Sequence, residues 1–219
     1  MATTVLHLQD RPKRVAKWIA ILGALFLVVP VYQFPGSMPT AGQLVLPAEA
    51  VQVGSQLDDA GARDAFLAAY TVFMHPRCMN CHPVGDVPLQ GEDSHLHAQS
   101  VKRGADGQGK YGMKCGACHQ LTNLPGANMP PGVAHWHMQP PTMRMVFEGK
   151  SPGDLCRQLK DPQQNGGRTI EVAIEHLDAD PLVFWGWAPG EGRSIPPLSH
   201  AEFVQKMREW IEKGAACPA

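Results

Sequence analysis

"CMNCHPVGDVP" (78–88) decides the fold, because the chain repeats it as "CGACHQLTNLP" (115–125). Both stretches open with two cysteines two residues apart and a histidine directly after. At an offset of 37, Asp86 matches Asn123 and Pro88 matches Pro125. Each stretch is followed by an HxH triplet, His95-Leu96-His97 after the first and His135-Trp136-His137 after the second, with 12 and 15 residues intervening between the motif histidines, His82 and His119, and the triplets. Residues 75–142 thus form a duplicated unit with few periodic segments. Something other than packed helices has to order them.

Cys78-Met79-Asn80-Cys81-His82 and Cys115-Gly116-Ala117-Cys118-His119 have the CxxCH form of covalent haem attachment. Two residues between the cysteines set the sulfurs at the separation of the haem vinyl groups, across which the thiols add. The next histidine then lies under the iron as proximal ligand. On this reading Cys78, Cys81, Cys115 and Cys118 carry two haem c groups, and His82 and His119 are the proximal ligands. A zinc site built from paired CxxC motifs is the competing reading. Such pairs are usually separated by about 15–20 residues, whereas 33 lie between Cys81 and Cys115. Zinc also does not require a histidine after each pair. A thioredoxin-like redox motif would need a βαβ context, which is absent.

The sixth iron position has several candidates. In an extended HxH the two histidines point to opposite faces, so only one can reach a given iron. The favoured distal ligands are His97 and His137, with His95 and His135 as alternatives. Either triplet could serve its own haem or that of the other unit. Met113, Met129 and Met138 are methionine candidates, and "NMPPG" around Met129 is like the Met-Pro segment of small single-haem cytochromes. Three ligand sets stay open: histidine at both irons, one His/Met iron, or one open position. His75 is read as a neighbour of the first motif, and His176 and His200 as surface or cap residues on helices. Arg77, Lys102, Arg103, Lys114 and Arg144 are candidate partners for haem propionates.

Outward from this centre, helices are expected on both sides. Phe66, Ala69, Tyr70 and Phe73 lie at helical spacing between about Asp59 and Met74. Ser151-Pro152 with Asp154 starts a helix that Pro162 ends. Thr169 to Leu177 carries Ile170, Ile174 and Leu177 on one face. "SHAE" (199–202) has the capping-box form and leads an apolar stripe of Phe203, Val204, Met207, Trp210 and Ile211, stopped by Gly214. The expected fold class is mainly α with large irregular content. Its parts are a membrane anchor (1–34), a linker (35–57) and a two-haem domain (58–219), in which the haem region (75–142) precedes a helical part (143–219). Cys156 and Cys217 are left over as an even pair, and a disulfide between them is expected in an oxidising compartment. Trp136, Trp185 and Trp187 are read as packing near porphyrin faces, or as a docking surface.

The anchor rests on an apolar run from Trp18 to Tyr32, preceded by Arg11, Lys13, Arg14 and Lys17. As a helix it is roughly 22 Å long, against ~30 Å of hydrocarbon. Snorkelling of Lys17 would extend it. The basic flank keeps the N-terminus in the cytoplasm and sends the rest across. An uncleaved anchor is favoured over a cleaved signal, the small-x-small site at 48–50 lying far beyond the run, and over a buried core helix. Either favoured reading places the main domain on the periplasmic side of a bacterial inner membrane.

The 219 residues carry a net charge of −1, with no basic block beyond the N-terminus and no basic-aromatic interleaving, so nucleic-acid binding is excluded. No Ser-His-Asp set, phosphate loop or paired catalytic carboxylates stand out. An electron-transfer protein, not itself an enzyme, is the expected class. A dihaem peroxidase or a haem-based gas sensor would each need an open iron. Motif histidines 37 residues apart do not suit a peroxidase with one domain per haem.

"FMHPRCMNCHPVGDVPLQGEDSH", "YGMKCGACH", "NMPPG", "WHMQPPTMRMVFEGKSPGDLCRQLKDP" and "MREWIEKGAACP" together resemble a family of small bacterial dihaem c-type cytochromes labelled isoquinoline 1-oxidoreductase subunits. The resemblance spans roughly residues 65–218. It implies a c-haem electron-transfer partner of a periplasmic molybdenum hydroxylase, feeding other cytochromes or an oxidase. It does not imply the hydroxylase itself, for which no molybdopterin or iron-sulfur motif is present. The carry-over concerns Cys78, Cys81, His82, Cys115, Cys118 and His119.

Overall fold

The computed structural model describes residues 57–219. The apolar run at 18–32 and the linker as far as residue 56 lie outside the described residues. Among the described residues no helix is long and apolar enough to cross a membrane.

Helices frame an irregular centre. Helix α1 (Asp59–Phe73) begins where the Asp58 carboxylate accepts from the Gly61 N–H. A single turn, α2 (Pro76–Met79), follows at once. Two short hairpins come next, β1 (Leu89–Gln90) with β2 (His95–Leu96), and β3 (Gly109–Lys110) with β4 (Met113–Lys114). The C-terminal part holds α3 (Pro152–Lys160), α4 (Ile170–Ala179), α5 (Pro181–Phe184) and α6 (His200–Glu212). Ser151 and Thr169 cap α3 and α4 through their hydroxyls. The Ser199–Glu202 capping box is formed at α6 in both directions. The mainly helical class with much irregular chain is therefore present in the described residues.

The apolar core belongs to the frame. Phe66, Phe73, Leu155, Ile174, Phe203, Met207 and Trp210 are buried together. Phe66 meets Trp210 with ring centroids 5.1 Å apart, and Phe73 meets Phe203 edge-on at the same separation. Between residues 75 and 142, by contrast, the buried hydrophobic residues are Leu89 and Met138. Two such side chains cannot order 68 residues of loop. The centre is held instead by polar and backbone contacts. Where the return limb of the second unit crosses, Met138 N–H donates to Gly107 O at 2.9 Å. Gly107 has φ +77°, and a Cβ there would collide with the Met138 carbonyl.

Cys156 of α3 and Cys217 beyond α6 are joined as a disulfide, with Cα atoms 5.6 Å apart. It closes the loop of frame that contains α4, α5 and α6.

Candidate functional site

The two cysteine motifs are closed by the same backbone contact. In the first, the Cys81 N–H donates to Cys78 O at 3.2 Å; in the second, Cys118 N–H donates to Cys115 O at 3.2 Å. Each motif is one tight turn that keeps its two cysteines adjacent and delivers the histidine just past them. His75 caps the first turn, its Nδ1 accepting from the Arg77 N–H, so it is a neighbour of the motif as its position suggests. Burial pushes the Cys78 thiol up to about 12 and the Cys81 thiol up to about 11, so the folded chain holds both protonated.

Both motif histidines are fixed by the same device. His82 Nδ1 lies 2.8 Å from Met145 O, and His119 Nδ1 lies 2.8 Å from Pro131 O. A carbonyl only accepts, so each Nδ1 carries the proton and each Nε2 presents a lone pair. That is the arrangement that orients an imidazole towards a metal. Each ring is also covered by an aromatic from the irregular segment that supplies the carbonyl. Phe147 stacks on His82, and Trp136 stacks on His119 with centroids 4.4 Å apart and planes 3° from parallel. Trp185 braces Trp136 edge-on at 4.8 Å and donates from its indole N–H to Asn123. Burial lowers the affinity of both histidines for a second proton, His82 down to about 4, with the carbonyl contacts opposing the shift. Both therefore stay neutral, as a ligand must.

The first HxH triplet splits as alternation requires, whereas the second is not extended, because His135 sits in a turn. His95 is exposed and paired with Asp93 at 2.6 Å, while His97 turns inward. In the second triplet His135 is exposed, with φ +61°, and His137 is half-buried with its Nδ1 on His135 O. Met113 and Met129 are exposed, and Met138 is buried. A cavity of about 360 Å³ beside the second motif is lined by His119, His135, Trp136, Leu121 and Val133. His176 pairs with Asp180 at the end of α4, and His200 packs against Phe184 and Trp187 at the start of α6. Both are helix residues of the frame, as expected. Trp187 also belongs to the frame, its indole N–H donating to Leu198 O.

Gln139 escapes sequence reading altogether. Its amide nitrogen lies 3.0 Å from His82 Nε2, the one protein group on that lone pair. Nothing about an isolated glutamine marks it. Phe147 and the carbonyls of Met145 and Pro131 are equally silent in sequence, since a carbonyl has no residue signature.

The residues present fit a porphyrin. Six buried side-chain polar atoms lack a partner among the described residues, and all lie between 77 and 139: Arg77 Nε, Asn80 Oδ1, Ser94 Oγ, His97 Nδ1, Arg103 Nε and Gln139 Oε1. Orphaned polar atoms confined to one region point to a group that would satisfy them. Arg77 and Arg103 are the two buried cations beside the first motif. Arg77 is paired with Glu92 at 2.5 Å, and Arg103 donates to Gln139 O and Gly85 O. Arg77 Nε has no partner, and Arg103 Nε stands 3.5 Å from the Asp86 carboxylate that Arg144 shares, so both suit a carboxylate acceptor such as a propionate. Arg144 and Lys114 already have carboxylate partners, Asp86 and Asp106, and Lys102 is exposed. A zinc site needs three or four convergent ligands. Among the described residues no three His, Cys, Asp or Glu side chains converge in that way. A haem iron asks the protein for only one or two.

No family model, curated protein or solved structure matches the chain.

Proposed function

We propose that the protein is a two-haem c-type cytochrome that carries single electrons on the periplasmic side of a bacterial inner membrane, tethered there by its N-terminal segment. One observation carries this reading. Two CxxCH turns, each closed by the second cysteine's N–H on the first cysteine's carbonyl, present a histidine whose Nδ1 is tied to a backbone carbonyl at 2.8 Å. Such a constellation, built twice, serves a ligand that needs two thiols and one imidazole at each site. Haem c, once attached, supplies an iron that gains and loses one electron without a change of bonding. The chain's residues keep the ligand set rigid, which limits reorganisation on each transfer. Carbonyl, aromatic stack and tight turn all serve that end.

The resemblance to subunits encoded beside molybdenum hydroxylases supplies the direction. The electron donor is a hydroxylase-type dehydrogenase, and the acceptor is another cytochrome or an oxidase. A pyridine haemochrome assay on chain matured in a bacterial periplasm should give two haems per chain. Serine at Cys115 and Cys118 should leave one. Fewer than two haems in the natural chain overturns the proposal. The spectrum of the reduced protein should be unchanged by carbon monoxide. A shifted band would favour an open-iron peroxidase or gas sensor over electron transfer.

A further inference from the structure

We infer that the two units are crossed: His97, from the return limb of the first, is the axial ligand opposite His119 of the second. This rests on the two-haem reading above and specifies it.

The rings of His97 and His119 lie with centroids 6.3 Å apart. Two imidazoles bound trans to one metal, each at about 2 Å from it, have centroids roughly 6 Å apart. Their planes make an angle of 59°. Each plane contains the metal–nitrogen axis in such a complex, so the angle between them is free and 59° is no obstacle. The two histidines have 21 residues between them and come from different units. The register is set by backbone. Leu96 pairs with Leu89, and the His97 N–H donates to Pro88 O at 2.9 Å. These contacts fix His97 on the inner face while His95 is held outside by Asp93. His97 Nδ1 is one of the six buried atoms without a partner. On the other side, the Pro131 carbonyl and the Trp136 ring leave His119 with Nε2 as its open position.

The rivals at this iron are less well placed. Met113 and Met129 are exposed, and among the described residues the imidazole ring in contact with His119 is that of His97, not that of His137. His135 lines the cavity beside His119, but its ring makes no stack or pair with it. The second limb reaches back across the units as well, since Gln139 sits on His82 of the first.

The test is carbon monoxide binding to reduced His97→Ala protein, with haem content measured in parallel. Two haems per chain and one new equivalent of bound carbon monoxide are expected, with exogenous imidazole filling the same position in the oxidised protein. Proton NMR of the oxidised protein tells which haem has opened, because Trp136 lies on His119 and marks the second one. The haem signals with Overhauser contacts to Trp136 should be those that move. Unchanged carbon monoxide binding, or movement only of signals remote from Trp136, overturns the crossing while two haems per chain keep the cytochrome reading intact. Loss of haem from the natural chain would instead defeat that reading. Should His97→Ala fail to mature, His97→Met decides. A methionine-to-iron band in the near infrared supports the assignment, and a spectrum identical to the natural protein's refutes it. If His135→Ala alone opens the Trp136-marked haem, His135 is the ligand and the proposal falls.

Discussion

Phe147 lies flat on the His82 imidazole, with 3.8 Å between ring centroids and 9° between planes. Its backbone N–H donates to His82 O at 2.9 Å, and its other edge meets Phe73 of α1 at 5.1 Å. One phenylalanine thus ties the first motif to the helical frame. Phe147→Leu keeps most of the volume and should cost under ~1.5 kcal/mol. Phe147→Ala should cost about 3–5 kcal/mol. Urea unfolding followed by far-ultraviolet circular dichroism measures both. The leucine variant should also broaden the low-spin electron paramagnetic resonance of one haem, since its histidine loses its stack. An unbroadened spectrum would show that the Met145 carbonyl alone sets the ring.

The Cys156–Cys217 disulfide closes a sequence separation of 61 residues. On the chain-entropy model its loss should cost about 4 kcal/mol. Paired alanine substitution should therefore lower the urea midpoint markedly. The visible haem spectrum should stay unchanged below the transition, because neither cysteine lies in the centre.

Arg103 is 1% exposed and lies beside the first motif, its Nε 3.5 Å from the Asp86 carboxylate. A fixed positive charge near an iron disfavours the oxidised, more positive state. Arg103→Gln should lower the midpoint potential of one haem, as read by spectroelectrochemical titration, and Arg103→Lys should restore part of it. A potential that rises on loss of the charge would refute the placement.

Glu209 on α6 accepts from Lys206 at 2.7 Å and from Lys213 at 2.8 Å, and Lys213 also reaches Asp58 at the start of α1. The two lysines hold its carboxyl down to about 2, against an ordinary 4.5. A depressed carboxylate stabilises the fold fully above its unfolded value, and that contribution is lost as pH falls through the folded one. Glu209→Gln should thus be less stable than the natural chain at neutral pH, with the gap closing between about 4.5 and 2. Glu209 and its lysines are only partly buried, so the gap should also shrink in molar salt. A gap constant with pH would show that the pair contributes nothing.

The helical frame was legible in the sequence because its signals are local. Ser151, Thr169 and the Ser199–Glu202 box are caps, and Phe203, Val204, Met207 and Trp210 follow one period. The inward turn of His97 against the outward turn of His95 was legible as alternation. The stacking rings, the supporting carbonyls and Gln139 were not, since they arrive from 12 to 65 residues away and carry no pattern of their own. Which unit's limb faces which histidine is likewise a property of chain crossing, invisible to spacing. The short turns α2 and α5 fall below the length at which periodicity speaks.

The separation of the apolar core from the motif-bearing centre has a consequence for biogenesis. The frame, disulfide included, can close on hydrophobic energy alone. On the proposed two-haem reading, the span between α2 and α3 would be ordered by its prosthetic groups, and without them it would be the stretch that a protease meets first. Limited proteolysis of haem-starved chain should therefore cut between residues 84 and 144 and leave the frame's two ends joined by tertiary packing. Supply of the cofactor then becomes a checkpoint that decides which copies survive.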